Sequence, residues 1–222
     1  YEEDMKQINS IDNYFKLLGI IGGKTDIRHL EINFTRIPLE DFKFYSELKK
    51  IKDKRIIGIN PGASIAPKRW PKKRFAEIIE KISWILPDAV FVITGMKNEI
   101  ELAEDIIRLS NCKEEQIINL CGKTSLEELV SLMNEFSCYI TNDTGSMHVA
   151  AAVDIPLVAI FGPGDFRRFT PVSVSGKIKI LRRDLPCAPC VRTTCDDWSC
   201  MRNIETEEVY SAVLDLMSLD NV

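Results

Sequence analysis

The stretch that decides the fold is NDTGSMHVAAAVDIPLVAIFGP, residues 142–163. The apolar run CYIT (138–141) before it predicts a buried strand, and the segment after the polar turn predicts a helix of small residues. PLVAIFG (156–162) predicts the next strand. Asp143, Thr144 and Gly145 should therefore lie where a strand ends and a helix begins, which is where open α/β sheets bind ligands.

The chemistry of this turn suits a phosphate. A helix start offers free N–H groups and the positive end of the helix dipole. Gly145 lets a ligand approach the backbone closely. Thr144 and His148 are four residues apart and share one helix face, so we expect His148 to contact a ligand rather than to be only structural. Asp143 has two interpretations, either an N-cap or a residue that binds a sugar hydroxyl.

A regular alternation of strands and helices extends outward from this stretch. The predicted strands are RIIGIN (55–60), AVFVIT (89–94), IINL (117–120) and 178–181. The predicted helices are 75–85, 98–109, 125–135, which opens with the capping box Ser125–Glu128, and 205–217. Such alternation is typical of parallel βαβ units. The fold class is therefore α/β, a Rossmann-like parallel sheet with helices on both faces.

The first 54 residues follow other patterns. A helical period runs from Met5 to Leu18, with Gly19 as its stop signal. Leu30, Ile32 and Phe34 alternate as in a half-buried strand. The segment LEDFKFYSELKKIKDK (39–54) predicts a charged helix.

Composition excludes several classes of protein. With 45% hydrophobic residues the chain can form a core, and a net charge of −4 disfavours nucleic acid as a partner. No apolar run reaches the roughly 18 residues that a membrane span needs. The first twenty residues do not read as a signal peptide, so we expect a cytoplasmic protein. Because the chain begins at Tyr1, it reads as a piece of a longer protein.

The loop after the first regular strand, NPGASIAPKRWPKKRF (60–75), resembles a phosphate cradle. Ala63 and Ser64 are small, and the cation Lys68 follows them. The spacing is not that of a P-loop. A solvated basic loop explains the same residues equally well.

Two further loops place a glycine between a strand and a helix. TGMKNE (94–99) carries Gly95 and Glu99, and GKTSLEE (122–128) carries Thr124. A glycine turn, an acid that complements the helix dipole and a capping residue explain these loops without any ligand. Parallel strands nevertheless bring their carboxyl ends to one edge, so the four loops should converge on one crevice that suits a nucleotide diphosphate.

Seven cysteines form two sets. Cys112, Cys121 and Cys138 lie in or beside helix and strand patterns, where buried free thiols are expected. Cys187, Cys190, Cys195 and Cys200 have the spacing C-x2-C-x4-C-x4-C. These four could bind structural zinc, pair with one another, or stay reduced as a local staple.

Together these motifs resemble glycosyltransferase family 9, the ADP-heptose:lipopolysaccharide heptosyltransferases. The matching elements are NPGA with KRWP, ITG with Glu99, GKTSLEEL, NDTGSMHVAAA, and PLVAIFGP with Asp165. The resemblance implies one half of a GT-B architecture. Residues 1–54 would be the interdomain connector, packing on the main domain, and 55–222 the carboxyl-terminal nucleotide-sugar-binding domain, which includes the cysteine segment 187–200 and the last helix.

The resemblance also implies roles for single residues. Catalytic roles fall on Lys68 and Asp143, and Asp143 would bind the sugar. Substrate-binding roles fall on Ala63, Ser64, Lys68, Gly95, Glu99, Thr124, Asp143, Thr144, Gly145 and His148. Ser64 and Lys68 would contact the diphosphate or the sugar, Thr124 would lie near the adenine, and Thr144, Gly145 and His148 would bind the phosphates.

The function expected from the resemblance is metal-independent, inverting transfer of a heptose from ADP-heptose to lipopolysaccharide or a related glycan. No cofactor is needed, because side chains and the helix dipole neutralise the leaving diphosphate. The resemblance implies that the general base lies in an amino-terminal acceptor domain, which we expect this chain to lack. The basic run 68–74 is compatible with peripheral contact to the inner membrane. Two alternatives stay open: a non-catalytic nucleotide-binding module, and a nucleotide-sugar epimerase or hydrolase of GT-B shape.

Overall fold

The computed structural model describes residues 9–22, 32–51, 53–190 and 192–219. Six parallel strands form one sheet in the order β3-β2-β1-β4-β5-β6. The strands are β1 Ile56–Asn60, β2 Val90–Ile93, β3 Ile117–Asn119, β4 Phe136–Asn142, β5 Leu157–Phe161 and β6 Ile178–Arg182. This order confirms the predicted Rossmann-like parallel sheet.

Helices connect the strands. They are α1 Ser10–Ile20, α2 Tyr45–Leu48, α3 Lys72–Ile85, α4 Ile100–Leu109, α5 Leu126–Met133, α6 Gly145–Val153, α7 Phe166–Phe169, α8 Ser199–Arg202 and α9 Thr206–Leu216. The predicted capping box opens α5, since the Ser125 hydroxyl accepts from the Glu128 N–H and the Glu128 carboxylate accepts from the Ser125 N–H. The short helices α7 and α8 had no counterpart in the sequence patterns.

The order of the strands reverses between β1 and β4. The chain builds outward from β1 to β3 and then returns to the other side of β1, where Gly58 pairs with Tyr139 and Asn60 with Thr141. Consecutive crossovers on opposite sides of this point leave a crevice at the carboxyl ends of β1 and β4. The fold thus fixes where a ligand site should lie.

Each face of the sheet is covered by its own hydrophobic cluster. One cluster joins Ile57 and Ile59 to the helices α3, α4 and α9. The other joins Val92 and Tyr139 to α5, α6 and the segment 42–51. Side chains alternate between the two faces along each strand, so both faces are buried and helices lie on both, as predicted.

The predictions for the first 54 residues are partly wrong. The first helix runs past Gly19 to Ile20, and Met5 lies outside the described residues. Ile32 and Phe34 are in no strand, while Leu30 is not described. The Ile37 N–H donates to the Ser131 hydroxyl at 2.9 Å rather than to a strand neighbour.

The predicted charged helix over 39–54 is also broken. Only Tyr45–Leu48 is α-helical, flanked by the 3-10 turns Leu39–Asp41 and Lys49–Ile51. Phe42 and Phe44 are both buried against the sheet. Two buried side chains at a spacing of two cannot share one helix face, so packing interrupts the helix. This segment lies on the main domain, while the boundary at residue 54 stays a prediction.

Candidate functional site

A cleft of about 640 Å³ opens at the carboxyl ends of β1, β2 and β4. Seven of the predicted site residues line it: Ala63, Ser64, Gly95, Glu99, Thr124, Thr144 and Gly145. Lys68, Asp143 and His148 are not in its wall. The structure thus divides the predicted site into a cleft and a neighbouring charged group.

The loop from β1 to α3 forms one wall of the cleft. The Asn60 side chain accepts from the Gly62 N–H at 3.0 Å, and this bond turns the chain immediately after the strand. The Arg69 guanidinium donates to the Ala63 carbonyl through Nε at 3.2 Å and Nη2 at 3.0 Å. Because Arg69 also lines the cleft, it places a cation there that the sequence-based site did not include.

The charged group centres on an ion pair between Lys68 and Asp143. Lys68 Nζ lies 2.6 Å from Asp143 Oδ2, and the Asp143 side chain is only 6% exposed. Gly164 closes over this pair, since a Cβ at residue 164 would lie 2.2 Å from Asp143 Oδ2 and 3.5 Å from Lys68 Nζ. The pair therefore depends on a glycine that the sequence patterns did not single out.

The start of α6 presents a hydroxyl cluster to the cleft. Thr144, not Asp143, is the N-cap residue, which corrects one interpretation of Asp143. The Thr144 hydroxyl lies 2.8 Å from the Ser146 hydroxyl, which also accepts from the Asn60 side-chain amide at 2.9 Å. Nothing lies within 4 Å of a Cβ built on Gly145. The positive end of a nine-residue helix is therefore open to an anion.

His148 lies half-buried beside the charged group. Burial lowers the pKa of its imidazole, the Asp143 carboxylate raises it and the Lys68 ammonium lowers it. Since the net effect lowers the pKa from 6.5, His148 is mainly neutral at pH 7. A neutral imidazole can donate or accept a hydrogen bond, and a nearby phosphate would favour its protonation.

Glu99 is buried between two glycines. Its Oε2 accepts from the Met96 N–H at 2.7 Å, and a Cβ on Gly62 would lie 1.9 Å from its Oε1. A Cβ on Gly95 would lie 2.8 Å from Oε2. The carboxylate thus caps its own turn and also lines the cleft. The two glycines are required because Glu99 fills the space that side chains would need.

Apolar side chains form part of the wall of the cleft. Met96 and Leu126 are 71% and 62% exposed, and Leu129 and Val149 complete this wall. Apolar side chains with a few polar groups in a cleft of this size are typical of a small-molecule site. The sequence patterns did not single these residues out, because Leu126 and Leu129 read as an ordinary helix face.

The cysteine-rich segment, residues 187–200, contacts the loop that follows β5. The Cys190 N–H donates to the Pro163 carbonyl at 2.8 Å, and a Cβ on Gly162 would lie 2.6 Å from the Met201 sulfur. All four thiols of the segment are free, as are the other three cysteines. Among the residues that the structure describes, no three His, Cys, Asp or Glu side chains are grouped as metal ligands.

The arrangement as a whole offers a helix N-terminus, hydroxyls, the Arg69 cation and apolar side chains in one cleft, with the Lys68–Asp143 ion pair beside it. These are the groups that bind a diphosphate joined to a base.

Within the described parts of the chain, no helix has the length and apolar character that crossing a membrane would take.

Comparisons with known proteins agree with the resemblance in the sequence. The family model of glycosyltransferase family 9 (heptosyltransferase) matches residues 11–199. Lipooligosaccharide heptosyltransferase 2 of Campylobacter jejuni is 32% identical over 178 residues, which are 79% of this chain and 55% of that protein.

Two solved structures extend the likeness to the fold. E. coli ADP-heptose lps heptosyltransferase II is 27% identical, with a TM-score of 0.67 over 85% of this chain and 53% of that one. The glycosyl transferase family 9 protein of Veillonella parvula is 23% identical, with a TM-score of 0.76 over 95% of this chain and 60% of that one. The chain spans about half the length of the curated relatives that it matches.

Proposed function

The chain belongs to glycosyltransferase family 9, and from that membership we propose that it supplies the donor site of a heptosyltransferase. The reaction is transfer of a heptose, or a related sugar, from a nucleotide-diphosphate sugar to a lipopolysaccharide core or a related glycan. We take ADP-heptose as the donor because the relatives are named for heptose transfer. Nothing in the family match or in these names supports an epimerase, a hydrolase or a non-catalytic module.

The cleft at the switch point carries the proposal. It joins the open N-terminus of α6 to an apolar wall within about 640 Å³, enough for a nucleotide. The N–H groups of Gly145 and the residues after it would bind the diphosphate, with Arg69 as the cation within the cleft. The base would lie against Met96 and Leu126.

Lys68 and Asp143 would then act at the sugar end of the donor. The Lys68 ammonium would neutralise charge that develops on the diphosphate as the bond to the anomeric carbon breaks. The Asp143 carboxylate would accept hydrogen bonds from sugar hydroxyls and keep Lys68 in place at 2.6 Å. His148, beside this pair, would contact the phosphate.

The chemistry needs no metal in this proposal, because protein cations and the helix dipole stabilise the leaving group. Inversion requires an acceptor hydroxyl to attack from the face opposite the diphosphate and to lose its proton to a general base. We place that base, and the acceptor site, on the amino-terminal domain that the resemblance implies. This chain alone should bind the donor without efficient transfer.

We place the protein on the cytoplasmic side, where a nucleotide sugar would reach it. Peripheral contact with the inner membrane stays a prediction. Much of the basic run is bonded within the chain, because Lys72 pairs with Asp105 at 2.5 Å and Arg74 with Glu205 at 2.8 Å. The run should therefore add little attraction to anionic lipid.

The test is a calorimetric titration of the chain with ADP, UDP, GDP and ADP-heptose. We expect selective binding of ADP or ADP-heptose. Lys68→Ala and His148→Ala should each weaken it by about tenfold, the loss of one hydrogen bond to a charged group. Lys73→Ala is the matched control. Lys73 is an exposed cation of the same run that lies outside both the cleft lining and the Lys68–Asp143 ion pair, so its substitution should leave the affinity unchanged.

The absence of binding by any nucleotide, in a chain whose circular dichroism shows it folded, would contradict the proposed donor site. Preference for UDP or GDP would retain a nucleotide site but reject ADP-heptose as the donor. An equal loss with Lys73→Ala would mean that affinity follows net charge rather than the site.

A further inference from the structure

Asn142 is a buried polar side chain that the proposed chemistry does not use. It is fully buried at the end of β4, directly before Asp143. Its Nδ2 donates to the Pro61 carbonyl at 2.9 Å and to the Gly62 carbonyl at 3.1 Å. Its Oδ1 accepts from the Trp70 N–H at 3.0 Å. Both ends of the β1–α3 loop are thus held by one side chain.

The residues between these two attachment points carry the predicted phosphate cradle. Ser64 and Lys68 lie in the loop that the Asn142 amide closes, and the Lys68 ammonium donates to Asp143, the residue that follows Asn142. Trp70, at the far end of the loop, is itself fixed, since its indole N–H donates to the Ile204 carbonyl at 2.9 Å. The loop has little freedom while these bonds hold.

Amide geometry makes this role specific to asparagine. One side chain must donate twice and accept once, and only an amide of this length combines two N–H groups with a carbonyl oxygen. Aspartate would keep the bond from Trp70 but turn an oxygen toward two carbonyl groups. Burying an oxygen without a donor destabilises the bonded conformation, so we expect the β1–α3 loop to move away from residue 142.

We propose that Asn142 is a positioning residue, which orients Lys68 toward the diphosphate by closing the β1–α3 loop. The inference rests on the proposed function, because it concerns the same donor site. Asn142 itself does not line the cleft. Its effect on affinity should therefore pass through Lys68, and the two substitutions should not be additive.

The experiment is a double-mutant cycle on the 222-residue chain. The Kd for ADP is measured for the wild type, Asn142→Asp, Lys68→Ala and the double variant, at low and high salt. We expect Asn142→Asp to weaken binding by about tenfold in the wild type and by less than about threefold in the Lys68→Ala background. It should also reduce the salt dependence of binding as Lys68→Ala does, because a phosphate contact by a cation is lost.

Asn119→Asp is the matched control. Asn119 also ends a strand, and its Oδ1 accepts from the Cys121 N–H at 3.0 Å. Asn119 lies outside the cleft lining and bonds to Cys121 rather than to the β1–α3 loop, so its substitution should leave the Kd unchanged. Should Asn142→Asp fail to fold, Asn142→Ser, which is uncharged and smaller, takes its place in the same cycle.

Two results would overturn the inference. Equal losses from Asn142→Asp with and without Lys68 would mean that Asn142 only supports the fold. A wild-type Kd in a folded Asn142 variant would mean that the loop is held without it. Failure of the wild type to bind ADP would instead reject the proposed function, so the two failures are distinguishable.

Discussion

At the residue scale, the sequence predicts some residues of the site and misses others. Ser64, Thr124 and Gly145 were predicted for one crevice because the carboxyl ends of parallel strands share an edge, and all three line the cleft. Asn142 and Gly164 were missed. Asn142 matters because it bonds to residues 72 or more positions away, and Gly164 matters because the Asp143 side chain fills the space that a Cβ would need. No local sequence pattern shows either relation.

Gly164→Ala tests whether the ion pair is limited by space. A Cβ there would lie 2.2 Å from Asp143 Oδ2, so the pair must shift. We expect the free energy of unfolding to fall by about 1–3 kcal/mol and the Kd for ADP to rise by about tenfold. Denaturant unfolding and calorimetry measure the two effects.

Gly19→Ala is the control for that substitution. Nothing lies within 4 Å of a Cβ at residue 19, which is inside α1. Helix propensity should make the control neutral or more stable by up to about 1 kcal/mol, with ADP affinity unchanged. Unaltered ADP affinity in Gly164→Ala would show that the pair can move without consequence.

The lowered pKa of His148 gives a pH dependence with a defined sign. A depressed folded-state pKa means that the unfolded chain binds the proton more readily, so stability is lost as pH falls below 6.5. We expect denaturant unfolding at pH 5.5 to give a smaller free energy than at pH 7.5. His148→Gln should remove part of this difference, because glutamine does not titrate.

His29→Gln serves as the control for the other histidine of the chain. It should leave the contribution of His148 in place. A pH dependence that is identical in wild type and His148→Gln would mean that burial does not disfavour the charged imidazole. Carboxylates whose pKa is lowered, such as Glu208, titrate below this window.

At the scale of elements, periodicity predicted the central sheet and failed toward the first residues. The central strands are short, continuous apolar runs, and the long connecting helices have a period of 3.6, both of which local sequence can show. In the segment 39–54, the charges suggested a helix, but Phe42 and Phe44 are buried at a spacing of two. Tertiary packing decided that segment, so local sequence could not.

The capping box of α5 can be tested by itself. Ser125→Ala removes the hydroxyl that accepts from the Glu128 N–H at 3.2 Å, and we expect a loss of about 1 kcal/mol in the free energy of unfolding. Ser211→Ala, an exposed substitution of the same type inside α9, is the control and should be neutral or slightly stabilising. Equal stability of the two variants would contradict a capping role.

At the scale of the whole molecule, the site depends on four separate parts of the chain. The β1–α3 loop, the loops before α4 and α5, and the start of α6 meet only because the strand order places β1 between β2 and β4. A nucleotide bound across them would connect both halves of the sheet. Ligand binding should therefore stabilise the fold as a unit, since it occurs only in the native state.

Thermal unfolding with ADP tests both this stabilisation and the need for a metal ion. At an ADP concentration of about 100 times Kd, linkage predicts a gain of about 2.7 kcal/mol and a higher Tm. Because the helix N-terminus and protein cations neutralise the diphosphate in our proposal, EDTA should leave the ADP-induced shift unchanged, and added Mg²⁺ should not enlarge it. The Asn142→Asp variant, measured at the same ADP concentration, should show a smaller shift because its Kd is higher. A shift that disappears with EDTA would mean that a divalent ion bridges the diphosphate and that Arg69 and Lys68 do not suffice.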